Sequence, residues 1–304
     1  MVSCSLGYDG NINLLFADKV YDNLKIRKVK NIDPLGKRDW GYRTVKNFKI
    51  VPSHPQNYRL FILGNDNKIV ELNNKKINYT HGLQIDNDMY CFICRTINTR
   101  YKNNVTITNA AGKIIHKFTI GMEVIDVQTN RNHELWVTYS DAGINGGFFE
   151  DTPNIEASGL NCFDAFGNIV YKYKNKLYID EGRSLNVISE NETMINIYAG
   201  TIKSWNALGI ITNKKVSKII EWGEFTRFFA YWDNKALVER NRSTEAKSKF
   251  ALLDIEKGTD IEIFEFLNEE GEKLNCIHGQ GDKLFFLGKN CLYTISIKEL
   301  MPGG

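Results

Sequence analysis

Proline is scarce, at 5 residues in 304, which excludes a Pro-rich extended chain or a collagen-like one. No segment approaches the roughly 18 consecutive apolar residues that a membrane-spanning helix needs, so no membrane partner is expected. The opening MVSCSLGYDG has neither a basic start nor an apolar stretch. A secretory signal is therefore not expected, and the cytoplasm is the default location. Sustained helical periodicity is missing as well. Nor is charge of one sign in excess: 39 Lys and Arg stand against 36 Asp and Glu, a formal net charge of +3. That balance gives no indication of a nucleic-acid partner, and the cluster Lys25, Arg27, Lys28 and Lys30 reads as a solvated strand face.

Assembled chemistry is also lacking. The six cysteines, Cys4, Cys91, Cys94, Cys162, Cys276 and Cys291, are dispersed, mostly in apolar runs where a reduced thiol acts as a small hydrophobe. Cys91-Phe-Ile-Cys94 is the one C-x-x-C, and on a strand its odd offset sends the two sulfurs to opposite faces. No second pair exists to complete a zinc site. The five histidines, His54, His81, His116, His133 and His278, show no ligand spacing. A nucleophile elbow G-x-S-x-G is absent, and the glycines of GINGG open no helix that could cradle a phosphate. No cofactor, no metal and no catalytic residue is expected.

What the chain does contain is a rhythm of short apolar runs. Hydrophobic residues make up 42% and aromatics 12%, enough for a sizeable core. Runs of four to six β-branched and aromatic residues alternate with Asn, Asp, Gly and Lys. The segment GMEVIDVQTNRNHELWVTYSDAGINGG, from Gly121 to Gly147, shows the pattern most clearly: strand, polar turn, strand, long glycine-bearing loop. Six strand pairs of this kind can be counted, spaced about as four-stranded propeller blades would be. They pair Phe48–Val51 with Leu60–Leu63, Gly82–Ile85 with Met89–Ile93, and Val124–Gln128 with Leu135–Tyr139. The later three are Ser184–Ile188 with Met194–Tyr198, Thr226–Ala230 with Ala236–Val238, and Leu274–Ile277 with Leu284–Leu287. VTITNAAGKIIHKF and LNCFDAFGNIVYKY follow two of these pairs as hairpins.

The expected fold is thus all-β: a single domain over residues 1–304 forming a six-bladed β-propeller, with seven blades as the alternative if residues 1–47 add a degenerate one. Radial closure explains strands such as FFAYW that are apolar on both sides. The last unit, ending NCLYTISI, shows only three strands, so a strand from Asn11–Val29 is expected to supply its fourth and close the ring.

In GMEVIDVQTN…ELWVTYSDAGING, GLNCFDAFGNIVYKY and SLNVI, the chain resembles a group of uncharacterised bacterial propeller-like proteins. Their segment reads Gly-Asp-Gly-Ile-Glu-Asp-Val-Gln, then Ile-Trp-Val-Ser-Tyr-Phe-Asp-Glu-Gly-Val-Phe-Gly. Gly121, Asp126, Val127, Gln128, Trp136, Val137, Tyr139, Asp141, Gly143, Gly146, Leu185, Asn186 and Val187 match, over about residues 82–240. Met122, Ile125 and Ala142 depart, replacing acidic positions. The resemblance implies a propeller and no particular activity.

In a propeller, loops joining the second strand of a blade to the third share a face with loops joining one blade to the next. Ser140–Ser158 and Lys174–Gly182 are therefore expected to overhang one end of the axis. Tyr139, Asp141, Asp180, Glu181 and Arg183 are the expected partner contacts there, with Glu150, Asp151 and Glu156 adding to an acidic rim. Asp126 and Asn186 are placed on inner strands facing the channel, and Arg95 at an inner strand's end, where it can meet a carboxylate or an anion. The function expected is a monomeric, non-catalytic platform for a protein or peptide. The alternative is a small-propeller enzyme of the lyase or hydrolase kind, similar to a streptogramin lyase, acting over the channel.

Trp136, flanked by apolar residues in ELWVTY, is expected between blades. Trp136→Ala should cost about 3–5 kcal/mol, measured by urea unfolding; an unchanged midpoint would contradict the placement.

Overall fold

Strands with both faces buried need sheets packed on both sides, and this condition is met throughout the inner part of the protein. The structure, a computed structural model, describes residues 1–17, 56–64, 67–74, 77, 79–95, 103–146, 154–221, 226–240, 249–289 and 291–301. Its strands form six antiparallel sheets in chain order. The first holds β1 (Ser3–Leu6), β2 (Ile12–Ala17), β3 (Gln56–Leu63) and β4 (Lys68–Asn74). The second holds β5 (Tyr79–Asp86), β6 (Met89–Cys94), β7 (Val105–Thr108) and β8 (Ile114–Phe118). The third holds β9 (Val124–Thr129), β10 (Leu135–Tyr139), β11 (Leu160–Phe163) and β12 (Ile169–Lys172). The fourth holds β13 (Glu181–Val187), β14 (Glu192–Tyr198), β15 (Asn206–Thr212) and β16 (Lys215–Glu221). The fifth holds β17 (Thr226–Trp232), β18 (Lys235–Arg240), β19 (Lys249–Asp254) and β20 (Thr259–Phe264). The sixth has β21 (Asn275–Gln280), β22 (Lys283–Leu287) and β23 (Leu292–Ser296). Each sheet's first strand lies beside the first strands of its two neighbours, and β1 meets β21, so the protein is a six-bladed β-propeller.

Burial falls from the axis outward, as the sequence pattern requires. Every residue of β10 and β11 is buried, whereas nearly all of the outermost β20 is exposed. The largest core runs through the second, third and fourth blades, with Leu83, Val127, Leu135, Leu160, Leu185 and Ile195 among its members. Trp136 lies in it, 3% exposed, its ring 5.3 Å from that of Tyr171. Tight hairpins finish the blades. Asn213-Lys214 and Asp233-Asn234 each place two consecutive residues at positive φ, the backbone of the two-residue turn whose twist matches the strands it joins.

The expected strand pairs of the second to sixth blades stand as read, but the first blade differs. Leu60–Leu63 belongs to its third strand, and its inner pair is β1 and β2. Phe48–Val51 lies outside the described residues. The ring is closed at an N-terminal strand, β1, although INLLFA is not the strand added to the last blade. INLLFA becomes β2, whose two edges are both taken, by β1 and β3, so it has none left for the last blade. Residues 23–29 lie outside the described residues. Among the described residues β23 has no outer partner strand, and closure comes from β1 packing beside β21.

The axis is filled by side-chain amides. Gln128 Nε2 donates to the carbonyls of Leu185 at 2.8 Å and Gly279 at 2.9 Å, while its Oε1 accepts from Val187 N at 2.8 Å. Asn186 Nδ2 donates to Phe229 O and Gly281 O, and its Oδ1 accepts from Gly281 N at 2.7 Å. Gln280 Nε2 donates to Thr129 O at 2.9 Å. Close approach of the inner strands needs glycine at 279, where a Cβ would sit 2.5 Å from Phe229 O.

Gln128→Leu would leave two carbonyls and one N–H without this partner, at about 1–3 kcal/mol for each group that water cannot reach. Urea unfolding should show a loss of at least about 2 kcal/mol; a neutral result would mean the axis is wet. His278, 4% exposed, has its pKa lowered from 6.5 to about 4, burial being the main cause. Between those two pH values the unfolded chain takes up a proton that the folded one refuses. Stability should therefore fall as pH drops from 6.5 towards 4, by about 3 kcal/mol for this group. His278→Gln should flatten that part of the stability profile, and an unaltered profile would show that the ring is protonated while folded.

Candidate functional site on the loop face

The two long connections predicted to converge do touch: the Tyr178 hydroxyl donates to Asn145 Oδ1 at 3.2 Å. Asn145 sits in the short helix α1 (Asp141–Gly146), which follows β10. Tyr178 sits in the crossing from the third blade to the fourth. Residues 147–153, with Glu150 and Asp151, lie outside the described residues. The loop after β14 joins them, since Asp180 Oδ2 accepts from Gly200 N at 2.5 Å.

On this framework lies a group that composition alone does not announce. Glu181 and Arg183 pair at 3.1 Å through Nε. The Arg183 guanidinium stands 4.7 Å over the Tyr198 ring, and Tyr198 stacks on Trp205 at 5.8 Å and 27°. Trp205 is 53% exposed and Tyr178 45%. Trp205 also has φ 60°, a left-handed conformation that bulky residues rarely adopt. Two backbone hydrogen bonds hold it, Trp205 N to Ile202 O and Ala199 N to Trp205 O. A large ring fixed in solvent by a costly backbone points to a use outside the fold.

The other expected contacts divide. Asp141 is exposed and accepts from Ala142 N at 2.7 Å, so it orders its own turn. Tyr139 is fully buried. Its hydroxyl donates to Ile120 O and accepts from Asn161 Nδ2, so the expectation of a partner contact gives way to a packing role. Burial also raises its pKa. Asn186 is equally buried and belongs to the axial network, bonded to backbone rather than lining an open channel. Arg95 pairs with Glu123 at 3.1 Å. Asp126 is half-buried and accepts from Leu185 N at 2.9 Å; burial raises its pKa, against the lowering by that bond and by His81.

His81 also approaches the axis, unforeseen from sequence. Its Nε2 lies 3.2 Å from Ile125 O and its Nδ1 3.0 Å from Thr80 Oγ1. Burial, ahead of the opposing pull of Asp126, lowers its pKa. Both ring nitrogens are thus engaged by the fold. His133 Nδ1 donates to Ile85 O at 2.8 Å and lies 3.8 Å from one carboxylate, that of Asp86. Among the described residues no three His, Cys, Asp or Glu gather closely enough to hold a metal, and no helix is long and apolar enough to cross a membrane.

At the opposite end of the axis lies a depression of about 360 Å³ bordered by Tyr8, Arg131, Glu190, Asp282 and Lys283. Its charges are partly spent on one another. Arg131 faces Glu190 at 3.9 Å, and Asp282 receives Lys298 at 3.1 Å and Ser296 Oγ at 2.7 Å.

No family model matches the chain, and no curated protein does. Among solved structures it is similar to hydrazine synthase from Kuenenia stuttgartiensis, at 10% identity and a TM-score of 0.43 over 72% of this chain. The chain spans 56% of that protein. It is also similar to BamB from Moraxella catarrhalis, at 9% identity and 0.40, covering 79% of this chain and 68% of that one. Sqt1 from Saccharomyces cerevisiae gives 10% identity and 0.44, over 80% and 77%. The propeller assignment stands on the six sheets themselves.

Proposed function

We propose that this protein is a non-catalytic propeller that docks a protein or peptide partner on its loop face, against Trp205, Tyr198, Tyr178 and Arg183. The observation that carries the reading is Trp205, held half in solvent in a left-handed backbone and stacked on a tyrosine that an arginine covers. Tryptophan, tyrosine and arginine are the residues that dominate binding energy at protein interfaces. Large rings contribute area with few torsions to freeze. Arg183 is held in advance by Glu181 and Tyr198, which reduces the ordering cost on association.

The partner's chemistry follows from what is already paired. Glu181 is engaged by Arg183 and Asp180 by a backbone N–H. An acidic rim seeking a basic partner is therefore a weaker description than an aromatic patch seeking an apolar or aromatic one. Salt should affect such an association only modestly.

The experiment is affinity capture from the native host with mass spectrometry of co-eluting proteins, followed by binding measurements on the purified pair. Trp205→Ala should weaken the pair by at least about 30-fold, equivalent to about 2 kcal/mol, with the melting temperature little changed, since alanine keeps the Cβ that makes this backbone costly. A partner bound equally well by Trp205→Ala and by Arg183→Ala would place the interface elsewhere.

A further inference from the structure

Between the outer parts of the third and fourth blades lies a second cavity, of about 540 Å³, bordered by Tyr171, Lys172, Lys174, Lys214 and Lys215. We propose that this cleft binds a small soluble molecule carrying two or more phosphate groups. The site is separate from the loop-face patch and does not depend on it.

Its wall is built by the register of the third blade. Gln128, Trp136, Cys162 and Tyr171 are successive cross-strand partners from β9 to β12, so their side chains share the face turned to the fourth blade. The outermost, Tyr171, forms the cleft's wall. Its hydroxyl is buried and has no hydrogen-bond partner among the described residues, and the same is true of Nε1 of Trp136, the ring against it. Buried donors in native proteins are nearly always satisfied. The border of the cleft itself carries no acidic side chain.

The opposite side is the hairpin turn Asn213-Lys214 between β15 and β16. Lys214 Nζ reaches Glu134 Oε1 at 2.5 Å, and Glu134, 8% exposed, also accepts from Asn130 Nδ2. Glu134 is thereby neutralised and the turn anchored. Lys174 and Lys215 then remain as cations without an ion pair among the described residues, with Lys172 at the same border. Ammonium groups act on phosphate as point charges that need no fixed approach. The border contains no arginine, so the planar two-bond recognition that favours a carboxylate is not offered. Val170 and Val216 give the cleft apolar flanks, suited to an organic portion, and the volume lies in the range of small-ligand sites.

The test is titration calorimetry of the full chain with tripolyphosphate at physiological ionic strength. Saturable binding at one site per chain is expected. It should weaken at least about tenfold in Lys174→Glu with Lys215→Glu, as expected for losing two charge-assisted contacts. A charge-matched control, Lys113→Glu with Lys117→Glu on the second blade, should bind as the parent does. Absence of heat, equal weakening in the control pair, or no effect of the cleft variants would overturn the proposal. So would binding to phosphoinositide-containing phosphatidylcholine vesicles with none to tripolyphosphate, since that outcome assigns the lysines to a lipid surface.

Discussion

The structure depends on how the free edges of the six innermost strands are satisfied. Each first strand has a partner on one side only, so its other row of backbone groups faces the axis. In a narrow ring those groups lie too deep for easy hydration, and leaving them bare is costly. Gln128, Asn186 and Gln280 answer this directly by bonding to carbonyls and N–H groups of other blades. The polar residues at inner positions are thus part of the closure, as necessary as the apolar ones around them. Gly279 belongs to the same constraint, since only a missing side chain lets β21 lie so near Phe229.

Much of the fold was legible because burial on both faces leaves a mark in the sequence. Runs such as LWVTY have no solvent face to encode, so they stand out against turns of Asn, Asp and Gly; FFAYW, apolar throughout, nevertheless ends on an exposed Trp232. The first blade escaped because its inner strand is the short, mixed SCSL. The more apolar NYRLFIL, in third position, carries the stronger signal. Closure by a borrowed strand was inferred from a count of strands. Among the described residues the count holds for the sixth sheet; INLLFA cannot supply its fourth strand because β2 already has two neighbours, and residues 23–29 lie outside the described residues.

The candidate site was legible in its location and only partly in its residues. Loop length and chain order placed two connections on one face, and the Tyr178–Asn145 bond joins them there. Polar type at a loop base, however, does not separate a contact from a brace. Tyr139 and Asn186 look like site residues in sequence and are buried braces in space. Trp205 was missed for the opposite reason: an aromatic between two strands reads as core. Only its polar surroundings in AGTIKSWN hint otherwise. His81 and His278 show no spacing because the ring, not the chain, brings them towards the axis.

One consequence of the seam between the first and last blades concerns how the ring comes apart. Five junctions join blades that are consecutive in the chain, so opening any of them leaves the neighbours covalently tethered. The β1–β21 junction has side-chain packing and no such tether. A junction held by packing alone is where local opening of the ring is expected first. The slowest amide exchange is then expected in the third and fourth blades, opposite the seam and within the largest core, the sector that carries Trp205.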